Sequence, residues 1–108
     1  DVKRQNAVEH AGEKDFTRQV LRSEVPVLVD FYADWCRPCQ ALAPVLEELA
    51  RETRDAKIVK VNVDESPQLA AAYRISSIPS LIVFKDGKPT AVHQGLASKK
   101  QLKWLLRP

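Results

Sequence analysis

The amino-acid sequence predicts an α/β fold, with a central mixed sheet of four to five strands and helices on both faces. Helical and strand patterns alternate through the first two thirds of the chain, which is typical of sheets built from strand–helix–strand units. Two strand-like runs joined by a turn signal follow, and then a last helix. We expect residues 1–108 to form one domain, in which residues 1–12 have no clear pattern.

The N-terminal half supplies four of the predicted elements. A short edge strand is expected near residues 7–10, and residues 13–23 have the apolar spacing of a helix. Residues 25–32 (VPVLVDFY) are almost continuously apolar and β-branched, which is typical of a strand buried on both faces. From Cys36 to about Thr53 the apolar residues return at helical spacing, so a long helix follows this strand.

The C-terminal half supplies the remaining elements. Residues 57–63 (KIVKVNV) alternate as a strand does, and Ser66 followed by Pro67 predicts the start of a short helix. Residues 80–94 form two strand-like runs around Lys-Asp-Gly-Lys, which indicates a hairpin. Ser98 is the predicted N-cap of the last helix.

Composition excludes several classes of protein. With 44% apolar and 29% charged residues, the chain has the composition of an ordinary soluble globule, and no apolar run approaches the roughly 18 residues of a membrane span. The net charge is +3, with basic residues spread among acidic ones, so no nucleic-acid surface and no membrane contact are predicted. The sequence begins at Asp1 and contains no Met, so a trimmed N-terminus is a possibility that bears on the compartment.

The two cysteines, Cys36 and Cys39, are separated by two residues and allow three interpretations. A structural disulfide would close a very small loop, which removes little entropy from the unfolded chain. A zinc site would need further ligands, and the histidines, His10 and His93, stand near opposite ends of the chain, so no metal site is predicted. Thiol–disulfide exchange is the favoured interpretation, and the other two remain open.

The predicted junction between strand and helix suits such exchange. Cys36 falls at the helix N-terminus, where unpaired N–H groups and the helix dipole favour a thiolate, which is the reactive form. Cys39 follows one turn later on the same face, where it is more buried and can close a disulfide with Cys36. Pro38 lacks an N–H group, but the missing N–H costs nothing because N–H groups in the first turn of a helix have no partner within the helix.

Five segments resemble the thioredoxin family in order and spacing. They are VDFYADWCRPC, Pro44 eight residues after Cys36, KVNVDESP, SIPSLIVFKDG and QGLASKKQL. The resemblance covers about residues 13–106, and a Cys-x-x-Cys pair in this setting is the standard example of a thioredoxin-like motif. It implies a thioredoxin fold and reversible dithiol–disulfide exchange with protein substrates.

The resemblance also implies roles for individual residues. Cys36 resembles the exposed nucleophile, Cys39 the resolving cysteine, and Pro79 the family's cis-proline, with an ordinary trans proline as the alternative. Ile78 would offer its backbone to a substrate strand. Other residues would complete the substrate-binding surface: Trp35, Arg37, Pro38, Gly95 and Leu96. For Trp35 the alternative is packing in the core.

Asp30 is unusual because it lies inside an apolar strand, where burial should raise its pKa. The resemblance implies that Asp30 relays a proton for the buried cysteine, with Lys60 as its companion. The alternatives are an Asp30 satisfied by backbone donors or by Lys60, and a Lys60 that is simply solvated.

The resemblance implies a disulfide reductase that needs no cofactor beyond the Cys36–Cys39 pair. It would be a monomer in the cytoplasm, reduced by a thioredoxin reductase or a similar electron donor, and would act on disulfide-containing client proteins. Arg37 departs from the glycine that is common in the family and puts substrate preference and redox direction in question. The alternatives are an oxidase or isomerase in an exported or organellar compartment, and a binding module without redox turnover.

Overall fold

A computed structural model describes residues 7–108 of the chain. The strands are β1 (Glu9–His10), β2 (Val27–Tyr32), β3 (Lys57–Asn62), β4 (Ser80–Lys85) and β5 (Lys88–Gln94). The α-helices are α1 (Arg37–Glu52), α2 (Pro67–Ala72) and α3 (Lys99–Leu105), and a π-helical turn spans Thr17–Leu21. No helix among these residues is long and apolar enough to cross a membrane.

The strands form one five-stranded mixed sheet in the order β1-β3-β2-β4-β5. β1, β3 and β2 are parallel, whereas β4 is antiparallel to β2 and β5 is antiparallel to β4. β2 is the central strand, and its residues from Val27 to Phe31 are all buried, as the continuous apolar run predicts. The predicted fold class is confirmed.

Side chains alternate across the sheet and divide the core into two layers. Leu28 faces the layer that contains α1 and α3. Val27, Val29 and Phe31 face the opposite layer, which contains Phe16 of the N-terminal segment. By the same alternation, Asp30 lies on the α1 side of the sheet.

Two N-terminal predictions are confirmed with modifications. The edge strand near residues 7–10 is the two-residue β1, and the helix expected at 13–23 is represented by the π-helical turn, in which Arg22 N–H donates to the Thr17 carbonyl at 2.9 Å. Of the segment expected to lack a clear pattern, residues 1–6 lie outside the described residues.

The predicted start of α2 is correct, but the expected N-cap hydrogen bond to the Ser66 side chain is absent. Ser66 is its N-cap residue, yet the Ser66 side chain makes no capping hydrogen bond. Instead Gln68 N–H donates to a carboxylate oxygen of Glu13 at 2.6 Å, so a residue 55 positions away satisfies this helix end. The hairpin turn is as predicted, with Asp86 and Gly87 both at positive φ, 53° and 78°.

The sequence predicts that the basic residues near the C-terminus, Lys99, Lys100, Lys103 and Arg107, form a solvated helix face, but two of them, Lys99 and Lys103, form ion pairs. Lys99 Nζ lies 3.0 Å from Glu48 and 2.7 Å from Glu52, and Lys103 Nζ lies 3.0 Å from Glu52. These ion pairs join α3 to α1 because the two helices cover the same face of the sheet.

Candidate active site

Cys36 and Cys39 form a disulfide at the N-terminus of α1, directly beyond the carboxyl end of β2. Their Cα atoms are 5.2 Å apart. Cys36 is the N-cap residue, and its Sγ accepts a hydrogen bond from Cys39 N–H at 3.2 Å. After reduction the same N–H group and the positive end of the helix dipole would stabilise a Cys36 thiolate.

The expectation of an exposed Cys36 is wrong for this disulfide form. Cys36 is 4% exposed and Cys39 is 2% exposed, so Cys36 is the more accessible of the two by a narrow margin only. The physical reason is local packing, because both cysteines cluster with Ala33 and are covered by half-buried neighbours that include Ile78.

The loop before β4 faces the disulfide. Cys36 Sγ lies 3.7 Å from the Ile78 carbonyl oxygen, and the Ile78–Pro79 peptide bond is cis, as predicted. The Pro79 carbonyl accepts a hydrogen bond from Gly95 N–H at 2.8 Å. These contacts bring residues 36, 78, 79 and 95 together although the sequence separates them widely.

Two large apolar side chains stand exposed at this end of the molecule. Trp35 is 69% exposed and Leu96 is 57% exposed, so the alternative of core packing for Trp35 is wrong. The Trp35 indole N–H donates to an Asp64 carboxylate oxygen at 2.9 Å. Asp64 is held in turn because its N–H donates to the Asn62 side-chain oxygen at 2.9 Å.

Asp30 is fully buried, and neither of its carboxylate oxygens has a hydrogen-bond partner within the described part of the chain. The alternative in which backbone donors or Lys60 satisfy Asp30 is therefore wrong. Desolvation raises the pKa of Asp30 to about 7, and the positive charge of Lys60 opposes this rise. A carboxyl with such a pKa can take up and release a proton near neutral pH.

Lys60 lies opposite Asp30 in the register of β2 and β3. Its ammonium sits over the Tyr32 ring, 4.2 Å from the ring centroid, which is a cation–π distance. Lys60 and Cys39 both line a small cavity of about 120 Å³. Lys60 is thus half-buried beside the redox site, and the simply solvated alternative does not describe it.

The sequence model of the thioredoxin family matches residues 7–107. The chain is 49% identical over 88 residues to Thioredoxin 1 of Synechococcus elongatus, covering 81% of this chain and 82% of that protein. It is 45% identical over 98 residues to the thioredoxin of Acidithiobacillus ferridurans, covering 90% and 91%. The solved structure of a mutant thioredoxin from Halobacterium salinarum matches with a TM-score of 0.86 at 40% identity, covering 94% of this chain and 88% of that one.

This chain belongs to the thioredoxin family. Its fold is the thioredoxin fold, and its Cys-x-x-Cys disulfide makes it a thiol–disulfide oxidoreductase with protein-disulfide reductase activity.

The structure brings several of the predicted site residues together and adds two neighbours that the sequence did not indicate. Arg37 and Pro38 are exposed in the first turn of α1, beside the disulfide. Asp64 and the Tyr32 ring were missed as supports of the site. The DES segment after β3 offered a signal for Asp64, but no sequence pattern pairs it with an indole 29 residues earlier. Within residues 7–108, no group of three or more His, Cys, Asp or Glu is placed to hold a metal ion.

Proposed function

We propose that Cys36 is the attacking thiol, Cys39 the resolving thiol and Asp30 the proton acceptor in the reduction of protein disulfides. The observation that carries this assignment is the position of Cys36 Sγ at the N-cap of α1, where Cys39 N–H donates to it. A thiolate is stabilised at this position and not one turn further into the helix.

The proposed exchange proceeds in two steps. The Cys36 thiolate attacks one sulfur of the client disulfide, and the other client sulfur leaves as a thiolate that takes a proton from water. Cys39 then loses its proton and attacks Cys36 Sγ, which forms the Cys36–Cys39 disulfide and releases the second client thiolate. Two electrons pass from the protein to the client, so the disulfide itself is the electron carrier.

Asp30 supports the second step in this proposal. Cys39 is buried, so its proton needs a nearby acceptor, and the Asp30 pKa of about 7 suits proton transfer at neutral pH. Lys60 supplies a half-buried positive charge opposite Asp30 and lines the cavity that Cys39 reaches, which supports a path for the proton toward solvent.

The surface around the disulfide is the proposed client site. The exposed Trp35 and Leu96 supply apolar contact area, and the backbone of Ile78 lies beside Cys36 Sγ, where an extended client segment can hydrogen-bond to it. The remaining members of this site are Arg37, Pro38, Pro79 and Gly95.

We further propose that the chain acts as one domain and as a monomer. Its electron donor would be a thioredoxin reductase or a similar enzyme, and its clients proteins with accessible disulfides. A redox-active pair that must return to the dithiol form favours a reducing compartment, which is the cytoplasm. The exported alternative predicts a less negative redox potential.

The experiment compares the Cys36→Ser and Cys39→Ser variants in two assays: the reduction of insulin by dithiothreitol, and the stoichiometric reaction of each pre-reduced variant with insulin after dithiothreitol has been removed. Both variants should lose turnover, but Cys39→Ser should accumulate a mixed disulfide between Cys36 and the client, visible by non-reducing electrophoresis and mass spectrometry. A mixed disulfide that forms on Cys36→Ser instead would reverse the assignment. If the wild-type protein does not accelerate insulin reduction, the chain is a binding module.

A further inference from the structure

The expectation that basic residues are spread among acidic ones is wrong for the last part of the chain. Residues 87–108 contain five basic residues and no Asp or Glu, whereas residues 1–86 contain the other 12 of the 17 basic residues and all 14 acidic ones. The net charge is therefore +5 for the last 22 residues and −2 for the rest. The basic segment comprises β5 and α3.

A groove lies within this basic segment, between α3 and β5. It has a volume of about 600 Å³ and is lined by His93, Lys100, Lys103, Trp104, Leu105 and Arg107, together with Gln101. Lys100 and Trp104 are four residues apart in α3, so they lie on the same face of that helix. Arg107 follows just beyond the end of α3 and lies over the Trp104 ring. The groove is thus lined by two apolar side chains, Trp104 and Leu105, and by three basic ones, Lys100, Lys103 and Arg107.

Trp104 is 63% exposed, which is unusual for so large an apolar side chain. Arg107 lies over the Trp104 ring, 3.6 Å from the centroid, and also donates to the Trp104 carbonyl at 2.7 Å. Within residues 7–108, no acidic side chain is in ion-pair contact with Lys100 or Arg107, unlike Lys103, which pairs with Glu52. The positive charges at Lys100 and Arg107 are therefore available to a partner.

The groove adjoins the proposed client site. His93, which lines the groove, has its Nε2 2.9 Å from the carbonyl oxygen of Leu96, and Leu96 belongs to the exposed apolar rim. Gly95, between them in sequence, is hydrogen-bonded to Pro79 beside the disulfide. A client bound at Cys36 can therefore extend past Leu96 into the groove.

We propose that this groove binds an acidic segment of a partner protein, with an apolar side chain of that segment placed against Trp104. The inference rests on the proposed client site. It adds that this site prefers client proteins in which a segment close to the disulfide contains both acidic and apolar residues. Carboxylates complement the Lys100 and Arg107 charges, and the exposed Trp104 ring offers contact area to an apolar side chain of the same segment.

The test uses three disulfide peptides with the same small disulfide loop. One has no tail, one has a tail of alternating Glu and Leu, and one has the same tail with Gln in place of Glu. A flexible linker of about eight residues, which spans at most roughly 29 Å, joins loop and tail. Reduction with dithiothreitol as electron donor gives kcat and KM for each peptide at low and at high salt.

The Glu tail should lower KM about threefold to tenfold relative to the Gln tail at low salt, with kcat unchanged, and the advantage should vanish at about 0.5 M salt. Lys100→Glu should reduce this advantage. Trp104→Ala should raise KM for both tailed peptides relative to the tail-free peptide, because both tails carry the Leu side chains that contact Trp104. Lys14→Glu is the matched control, because Lys14 is exposed near Phe16, which belongs to the opposite layer of the core, and should keep the advantage of the Glu tail. Circular dichroism verifies the fold of each variant.

The outcomes separate the two proposals. If the tail-free peptide is not reduced, the proposed function fails. If it is reduced but the Glu and Gln tails give equal KM, or if Lys14→Glu removes the advantage as Lys100→Glu does, the groove proposal is overturned.

Two further measurements distinguish other occupants of the groove. Binding to phosphatidylserine vesicles that depends on Lys100, without a KM advantage for the Glu tail, would assign the groove to a membrane. Self-association in sedimentation velocity that Lys100→Glu abolishes, again without a KM advantage, would assign it to a second copy of the chain. Either result overturns the proposal.

Discussion

Replacing Asp30 by asparagine should stabilise the disulfide form, and the gain should grow with pH. The Asp30 carboxyl is fully buried with a pKa raised to about 7, against 3.8 for an ordinary aspartate. At a pH between these two pKa values, Asp30 has lost its proton in the unfolded chain but still holds it in the folded protein. Stability is therefore greatest below the unfolded pKa and is lost as the pH rises to and through the folded pKa.

The size of this effect follows from the difference between the two pKa values. Each unit of pKa difference is worth about 1.4 kcal/mol of folding free energy. The difference here is about 3 units, so the penalty is on the order of 4 kcal/mol once Asp30 is fully ionised in the folded protein. At pH 5 only about 1.6 kcal/mol of the penalty is present, because the folded carboxyl is still protonated. The Asp30→Asn variant should therefore gain about 2–3 kcal/mol relative to wild type between pH 5 and pH 8.

The assay is urea unfolding of both proteins in the disulfide form at pH 5 and pH 8, followed by circular dichroism. Any constant effect of the asparagine amide, which is as unpaired in this site as the carboxyl, cancels between the two pH values. Asp34→Asn is the matched control, because it removes the same charge at an exposed position. A stability difference that is the same at both pH values would refute the account of Asp30 as a titrating buried carboxyl.

Three further predictions concern other parts of the molecule. Arg37→Gly should make the redox potential about 10–20 mV more negative at low salt, because the exposed guanidinium favours the Cys36 thiolate and so the reduced form; an unchanged potential in glutathione buffers would contradict this. Trp35→Ala should raise KM for a protein disulfide roughly fivefold to thirtyfold while changing the free energy of unfolding by less than about 0.5 kcal/mol, and a matching loss of stability would point to a structural role. Ser98→Ala removes the capping box with Gln101 and should cost about 1 kcal/mol in urea unfolding with turnover unchanged; an unchanged free energy of unfolding would contradict a capping role.

The sequence predicts elements well where local patterns decide them. The apolar run of β2, the positive-φ turn at Asp86 and Gly87, and the N-cap at Ser98 all depend on residues close together in the chain. Features that depend on distant partners were not predictable. The N–H group at the start of α2, for example, is satisfied by Glu13. The π-helical hydrogen bonds of Thr17–Leu21 are local, but no residue signature separates them from those of an α-helix.

In the candidate site, too, local patterns predict some features, whereas other features depend on residues far apart in the sequence. The placement of Cys36 at a helix N-terminus follows from local pattern, and the buried position of Asp30 follows from the apolar strand around it. The burial of Cys36 was missed because it depends on Ile78, 42 residues away in sequence. The exposure of Trp35 is likewise set by a distant residue, since Asp64 holds the indole at the surface.

The residues that depart from the rules of a stable globule cluster at the proposed site. The buried carboxyl of Asp30, which has no hydrogen-bond partner in the described part of the chain, destabilises the fold at neutral pH. The exposed Trp35 leaves apolar surface open to non-specific contacts with other proteins. Neither feature is needed to form the sheet. All other residues of β2 are apolar or aromatic, so an apolar residue would also fit the position of Asp30, and Trp35 contributes nothing to the core. Such local conflicts are expected where function sets the residue, and here both lie within the chain segment that carries the disulfide. The energetic cost of Asp30 is thus itself an argument that the proton it can hold serves the chemistry of Cys39.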